Sequence, residues 1–123
     1  MANEITGSGS LSLVNGLLKT SQASGNVKIT QNNASFEGGT QSIGTTEEAI
    51  TIGDLVTEGW AWLRNSDATN FLQIGLKPAS VFYPLMDLYP SEPPSMFRIT
   101  PGVTLYAKSD TADCELIKLI LED

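Results

Sequence analysis

The chain has no histidine and one cysteine. The first absence excludes a Cys–His pair, a Ser–His–Asp triad and any histidine metal site. The lone Cys114 rules out an intramolecular disulfide, and its surroundings, ADCELIKLILED, read as a strand in which it is a small core or interface side chain. Basic residues are few. Seven Lys and Arg stand against fourteen Asp and Glu, a net charge of −7. That balance argues against nucleic acid, whose phosphates need clustered positive charge, and against an anionic membrane surface. No apolar run approaches the roughly 20 residues needed to span a bilayer. The start, MANEITGSGS, lacks the basic end and apolar core of a signal peptide. The expectation is a product that stays in the cytoplasm unless it leaves as part of an assembly.

What remains is β-forming sequence. At 123 residues the chain is long enough for one core without staples. From 1 to 46 it is rich in Ser, Thr, Asn, Gln and Gly, with Glu4, Lys19, Lys28 and Glu37 its only charges. Leu11 and Leu13, and Val27 and Ile29, stand two apart, and Gly25-Asn26 and Gly38-Gly39 signal turns. Two readings stay open for this zone: a flexible arm, or thin strands that bury themselves against neighbouring copies. Its low charge favours strands, since disorder goes with high charge and few β-branched residues. On the second reading Leu11, Leu13, Val27, Ile29 and Phe36 make the contacts.

From 47 to 123 apolar density rises. Strands are expected near 49–52, 59–64, 71–76, 81–85, 95–99, 103–107 and 114–121, separated by Gly, Pro, Asn and Asp clusters. Short strands about ten residues apart predict an antiparallel β-sandwich of jelly-roll type. The segment TEGWAWLRNSDATNFLQIGL (57–76) reads as strand, tight polar connection and strand, in the manner of a hairpin. The final ELIKLIL reads as a closing strand rather than a short helix, given its β-branched content. Alternation sets Cys114, Leu116, Lys118 and Ile120 opposite Glu115, Ile117, Leu119 and Leu121. Both sets carry apolar residues, as expected of a covered strand. Trp60 and Trp62 share a face. They are assigned to the core with Phe71, Leu72, Ile74, Phe97, Leu105 and Leu119; an exposed aromatic strip for carbohydrate is the alternative.

Chemistry-bearing clusters are thin. Glu47, Glu48, Asp54 and Glu58 lack the spacing of a calcium loop and read as solvated loop carboxylates. The glycine pairs are not followed by the Lys and Ser/Thr of a phosphate cradle. YPSEPP (89–94) is a stiff inter-strand corner. Arg64 and Arg98 are candidates to pair with Asp67 or Asp87. No catalytic residue, metal or cofactor is implied.

Three long pieces, GTTEEAITIGDL (44–55), GWAWLRNSDATNFLQIGL (59–76) and MFRITPGVTLYAKSDTADCELIKLILED (96–123), then point to a family. The order of Arg64-Asn65, Asp67–Asn70, Ile74-Gly75, Phe97-Arg98, Tyr106–Lys108, Asp110–Ala112 and Glu122-Asp123 resembles small virion proteins of tailed bacteriophages. The resemblance implies a non-enzymatic structural component, a head decoration (cement) protein or a fibre- or tail-associated subunit. It would be assembled in the host cytoplasm and located in the virion. Its implied partners are copies of itself, as a trimer, and the major capsid protein or another virion protein. A fibre-associated module that binds carbohydrate or a receptor is the second expectation.

Overall fold

The computed structural model describes residues 3–123, and the chain forms two compact units that divide between Ala34 and Ser35. Among the described residues twelve β-strands and one 3-10 turn, Pro78–Ser80, make up the regular structure.

The first unit is a ribbon. Strand β1 (Ile5–Gly7) pairs antiparallel with β4 (Val27–Ile29), and β2 (Ser10–Asn15) with β3 (Leu18–Ala23). The tip is the two-residue loop Gly16-Leu17. Gly16 takes φ of 61°, the left-handed first position that a type II′ hairpin turn needs and that glycine supplies freely. Between the two strand pairs, Gly9 N–H donates to Ser24 Oγ at 3.0 Å and Ser24 N–H to Gly9 O at 2.9 Å. The pairs thus run end to end as one two-stranded ribbon, about 35 Å long at ~3.3 Å per residue. Every residue of β2 and β3 is exposed.

The second unit holds two four-stranded antiparallel sheets with one core between them. Its strands are β5 (Phe36–Ile43), β6 (Glu48–Ala49), β7 (Glu58–Asn65), β8 (Leu72–Leu76), β9 (Tyr83–Leu88), β10 (Ser95–Arg98), β11 (Tyr106–Ser109) and β12 (Cys114–Glu122). One sheet is ordered β10-β7-β12-β5 and the other β6-β11-β8-β9. Every connection between successive strands except β8 to β9 therefore crosses from sheet to sheet. Leu63, Leu116, Ile120 and Ile43 from the first sheet pack with Leu72, Ile74, Leu88 and Ala107 from the second. Burying a side chain of that size contributes about 1.5–3 kcal/mol.

In β12 the alternation holds as the sequence predicts. Cys114, Leu116, Lys118 and Ile120 face inward, while Glu115 and Leu119 are exposed. β12 is central, paired to β7 on one side and along its length to β5 on the other.

Three expectations change. The 57–76 segment is not a hairpin: β7 and β8 lie in different sheets, and residues 66–71 form an arch between them. The compact unit begins at Ser35, not at 47, because β5 completes the β12 sheet through eight consecutive paired residues, Phe36–Ile43. Trp60 and Trp62 alternate outward, since Gly59, Ala61, Leu63 and Asn65 take the inner face of β7.

Candidate functional site

The polar residues of the arch form the densest hydrogen-bond network in the sandwich. Asn65 is buried (3% exposed). Its Nδ2 donates to Asn70 O and to Leu88 O, both at 2.8 Å, and its Oδ1 accepts from Asp67 N–H at 2.8 Å and from the Cys114 thiol at 3.1 Å. Asp67 Oδ2 accepts from Asn70 N–H at 2.7 Å and Thr69 N–H at 3.0 Å. Those two backbone donors, Asn70 first, hold the Asp67 carboxyl below the usual carboxylate range. Thr111 Oγ1 donates to Asn70 Oδ1 at 2.7 Å, and the Ser109 hydroxyl donates to Ala112 O. Burial pushes the Cys114 thiol up to about 11, helped by the negative charges of Asp67 and Asp110. A thiol that holds its proton so firmly is a poor nucleophile and a poor metal ligand. The cluster joins the ends of β7, β9 and β12; its chemistry is that of a staple.

A second buried polar group lies four residues beyond Cys114 along the inner face of β12. The Lys118 ammonium donates to Thr51 O, to Thr51 Oγ1 and, at 3.3 Å, to Gln41 Oε1. Gln41 Nε2 in turn donates to Ala49 O at 3.0 Å, and its Oε1 accepts Thr51 N–H at 3.0 Å. Burial holds Lys118 below its ordinary pKa, with the Glu37 charge acting in the opposite sense. The arrangement ties the 49–51 segment to β12 and β5.

The carboxylates are spread out. Glu47 pairs with Lys77 at 3.6 Å, and its carboxyl lies below the usual range through its own backbone N–H first and the Lys77 and Lys108 charges after it. Glu48 Oε2 accepts Gly44 N–H at 3.3 Å, Asp54 is exposed and Glu58 is buried. Glu122 Oε1 accepts Val56 N–H at 2.9 Å and Thr57 N–H at 3.3 Å. Among the described residues no three His, Cys, Asp or Glu converge as a metal site would require. Arg98 pairs with Asp123 at 3.2 Å instead of Asp67 or Asp87. Asp67 is occupied by the arch, and Asp87 accepts from Gln73 at 3.4 Å.

Two surfaces stand out against this polar bookkeeping. The first is the ribbon. Leu11, Leu13 and Leu18 share one face with Asn15, Thr20 and Gln22, by the pairing Asn15–Leu18, Leu13–Thr20 and Leu11–Gln22. That face has no charged residue. Leu17 at the tip is fully exposed, Leu11 is 78% exposed and Val27 is exposed, while Ile29 is half-buried. A concavity of about 450 Å3 at the ribbon's waist is lined by Gly9, Ser10, Leu11, Gln22, Ala23 and Ser24, with no ionisable side chain.

The second is the outer face of the β10-β7-β12-β5 sheet. Met96, Trp62, Leu119 and Gly38 stand in one cross-strand line. Phe36 and Leu121 are directly paired beside it, and Trp60 neighbours Arg98 across the β7–β10 pair. Phe36 is 67% exposed, Met96 42% and Leu119 39%. The Arg98 guanidinium lies 5.8 Å from the Trp60 ring centre, and the buried indole N–H of Trp60 has no hydrogen-bond partner.

Of the eight residues the sequence assigns to the core, Leu72 and Ile74 are fully buried, and Phe97 and Leu105 pack against the core half-buried. Trp60, Trp62 and Leu119 are on the outer face. Phe71 is at the foot of the arch, stacked on Tyr89 with ring centres 4.9 Å apart. Phe36, assigned to the arm, belongs to β5. Sequence reasoning missed Asn65 and Lys118; a polar residue in register with buried apolar neighbours was the available signal. Searches against protein-family models, curated proteins and solved structures return no match.

Proposed function

We propose that this chain is a non-enzymatic structural protein of a tailed-bacteriophage particle, a decoration (cement) protein that binds the head as a homo-oligomer. The observation that carries the reading is the ribbon. An isolated two-stranded β-structure is marginal in water, and this one leaves Leu11, Leu13, Leu17 and Leu18 exposed. Such a segment gains most by lying on, or adding strands to, a neighbouring protein. The major capsid protein or another virion protein is that neighbour.

The interleaved strand order supports reading the sandwich as a jelly roll, an arrangement that viral shell and lectin domains use. This is an argument from fold, weaker than one from a site. A trimer suits it, since shell lattices offer three-fold axes and closed cyclic oligomers reuse one patch. The reading needs neither catalytic group nor cofactor, and its location is the virion.

The carbohydrate alternative asks for open aromatic faces on one strip. Trp60 and Trp62 do share a face, but Arg98 covers one side of the Trp60 ring. Tyr106 is on the other sheet, with Lys77 at 5.7 Å from its ring. The stacking platform is therefore poorer than the sequence suggested.

The test mixes purified protein with capsids assembled without it and measures co-sedimentation and occupancy by cryo-microscopy. The full chain should decorate. A variant with Leu11, Leu13 and Leu18 changed to Ser should remain folded in 35–123 and lose decoration. Undiminished occupancy by that variant would remove the ribbon from the reading. Failure of the full chain to bind any capsid surface would remove the reading itself.

A further inference from the structure

We infer that the outer face of the β10-β7-β12-β5 sheet is the surface through which copies of this chain associate, with its apolar band centred on the symmetry axis of the oligomer. The inference adds a second contact surface to the decoration reading, and its readout, mass in solution, is independent of particle binding.

Three observations favour a second copy as the occupant. The first is composition. This face carries both tryptophans and both arginines of the chain, with Phe36 and Met96. Trp, Phe, Met and Arg are the residue types enriched at interface centres. The opposite sheet has no tryptophan or arginine on its outer face; there Leu85 and Tyr83 of β9 are exposed beside the polar pair Gln73–Asp87.

The second is charge. The molecule carries −7, so most approaches of one copy to another are repulsive. By strand alternation this face carries Arg64 and Arg98 against Glu115, Asp123 and the buried Glu58, and the line Met96–Trp62–Leu119 between them is uncharged. Identical molecules can meet here without placing like charges at the centre, as an axis of rotation requires.

The third is area. From the exposure of Phe36, Met96 and Leu119 and the half-buried neighbours, the band offers about 500 Å2 of apolar surface. A standard interface takes roughly 800 Å2 from each partner, a little over half of it apolar. The band is the right size for the apolar centre of one such contact. Gly38 keeps it flat: a Cβ there would touch Leu119 Cδ1 at 3.5 Å and the Phe36 ring at 3.7 Å.

The experiment measures the mass of the full-length protein by sedimentation velocity across a dilution series. The substitutions Leu119→Glu and Met96→Glu are at exposed positions, and Val14→Glu on the ribbon is the comparison. Wild type and Val14→Glu should be oligomeric. Each band variant should raise the dissociation constant about 30-fold or more, with an unchanged β-type circular dichroism spectrum. Because both tryptophans are in the band, diluting unmodified wild type should also shift its fluorescence to longer wavelength as the mass falls. That second readout needs no variant to fold. Monomeric wild type at high concentration, band variants that keep the wild-type mass, or dissociation caused by Val14→Glu alone would each overturn the inference. So would dissociation on dilution with no change in tryptophan emission.

Discussion

Replacing Asn65 with Ala tests whether the arch network holds the two sheets together. The change removes the side-chain partner of three backbone groups, the carbonyls of Asn70 and Leu88 and the N–H of Asp67, and leaves Asn70 O only the Cys114 thiol at 3.6 Å. The Asn65–Leu88 bond is buried, and the other two are partly so. A buried polar group left without a partner costs about 1–3 kcal/mol. Taking the low end for the two partly buried groups gives a loss of about 3–5 kcal/mol. For a domain of this size, each kcal/mol lowers the melting temperature by roughly 4–8 °C. The drop should be on the order of 15–30 °C, read by circular dichroism and checked by urea denaturation with an unchanged slope.

Asn65→Asp sharpens the test because it keeps the shape. The acceptor toward Asp67 N–H survives, but a carboxylate oxygen then faces the Asn70 and Leu88 carbonyls with no proton to give. Protonating it restores one donor. The new carboxyl should therefore have a raised pKa in the folded state, and the variant should recover stability as pH falls through that pKa. If Asn65→Ala melts within about 5 °C of wild type, or Asn65→Asp shows no recovery in acid, the network decorates the fold rather than stapling it.

Other substitutions probe separate features. Gly75→Ala should cost about 1–3 kcal/mol or more, because its Cβ would stand 2.1 Å from Tyr83 O and 2.8 Å from Pro84 Cα, backbone that cannot swing aside; Gly38→Ala, with only ordinary contacts, should melt within a few degrees of wild type. Cys114 should react slowly with a disulfide probe at pH 8 and rapidly in denaturant, since its pKa rises to about 11 when folded; fast native labelling would contradict its burial. The same raised value means that stability from the protonated thiol is full below the ordinary 9.0 and lost as pH climbs toward 11. Cys114→Ala should flatten that loss. Lys118 has the opposite sign. Its lowered pKa means the unfolded chain binds the proton more tightly, so its contribution to stability grows as pH rises toward the ordinary lysine range. Lys118→Met should abolish that rise while changing stability at pH 7 by about 1 kcal/mol either way, because the lost ammonium was costly to bury but Thr51 O loses its donor. A variant that unfolds at pH 7 would show the lysine to be indispensable.

Seven of the eight strands of the sandwich were legible because their signals are local; β5, built from Gly, Thr, Gln and Ser, read as part of the arm. Alternation in Cys114–Ile120 separated the two faces correctly but did not say which one was buried, and Leu119, assigned to the core, is on the exposed one. The pairings were not legible. Residues 66–70 use Ser, Asp, Thr and Asn in the same way whether a chain folds back into its own sheet or arches to the next. What decides is that β12, some fifty residues later, takes the place beside β7. The tryptophans show the same limit. Side-chain volume suggests that Trp60 and Trp62 point inward and Ala61 outward. The register sets Ala61 against Ile120 and Leu63 against Lys118 on the inner face, and there the small residue fits beneath the packed second sheet.

The short polar motifs around 65–70 and 110–112 acquire a physical reading from the same arch. Asn65, Asp67, Thr69 and Asn70 come from one motif and Asp110, Thr111 and Ala112 from another, some forty residues apart. The fold joins them: Thr111 bonds Asn70, Asp110 N–H donates to Phe71 O at 3.2 Å, and Ser109 bonds Ala112 O. A run of Asp, Thr and Asn in a loop invites a catalytic or metal-binding interpretation, yet their lone pairs and protons are largely committed to backbone groups of the crossing. Polar residues committed in this way constrain the geometry of the scaffold and leave its contacts to be set elsewhere. Among the surface apolar residues that take no part in the crossing are the ribbon leucines and the Met96–Trp62–Leu119 line. Substitutions in the arch should therefore lower stability and expression with little change in the oligomer that does form. Substitutions on the two apolar surfaces should leave the melting temperature of the dilute protein nearly unchanged while altering what it binds. A screen that scores soluble yield and complex mass for both sets separates them, and an arch variant that folds fully but fails to assemble would break the division.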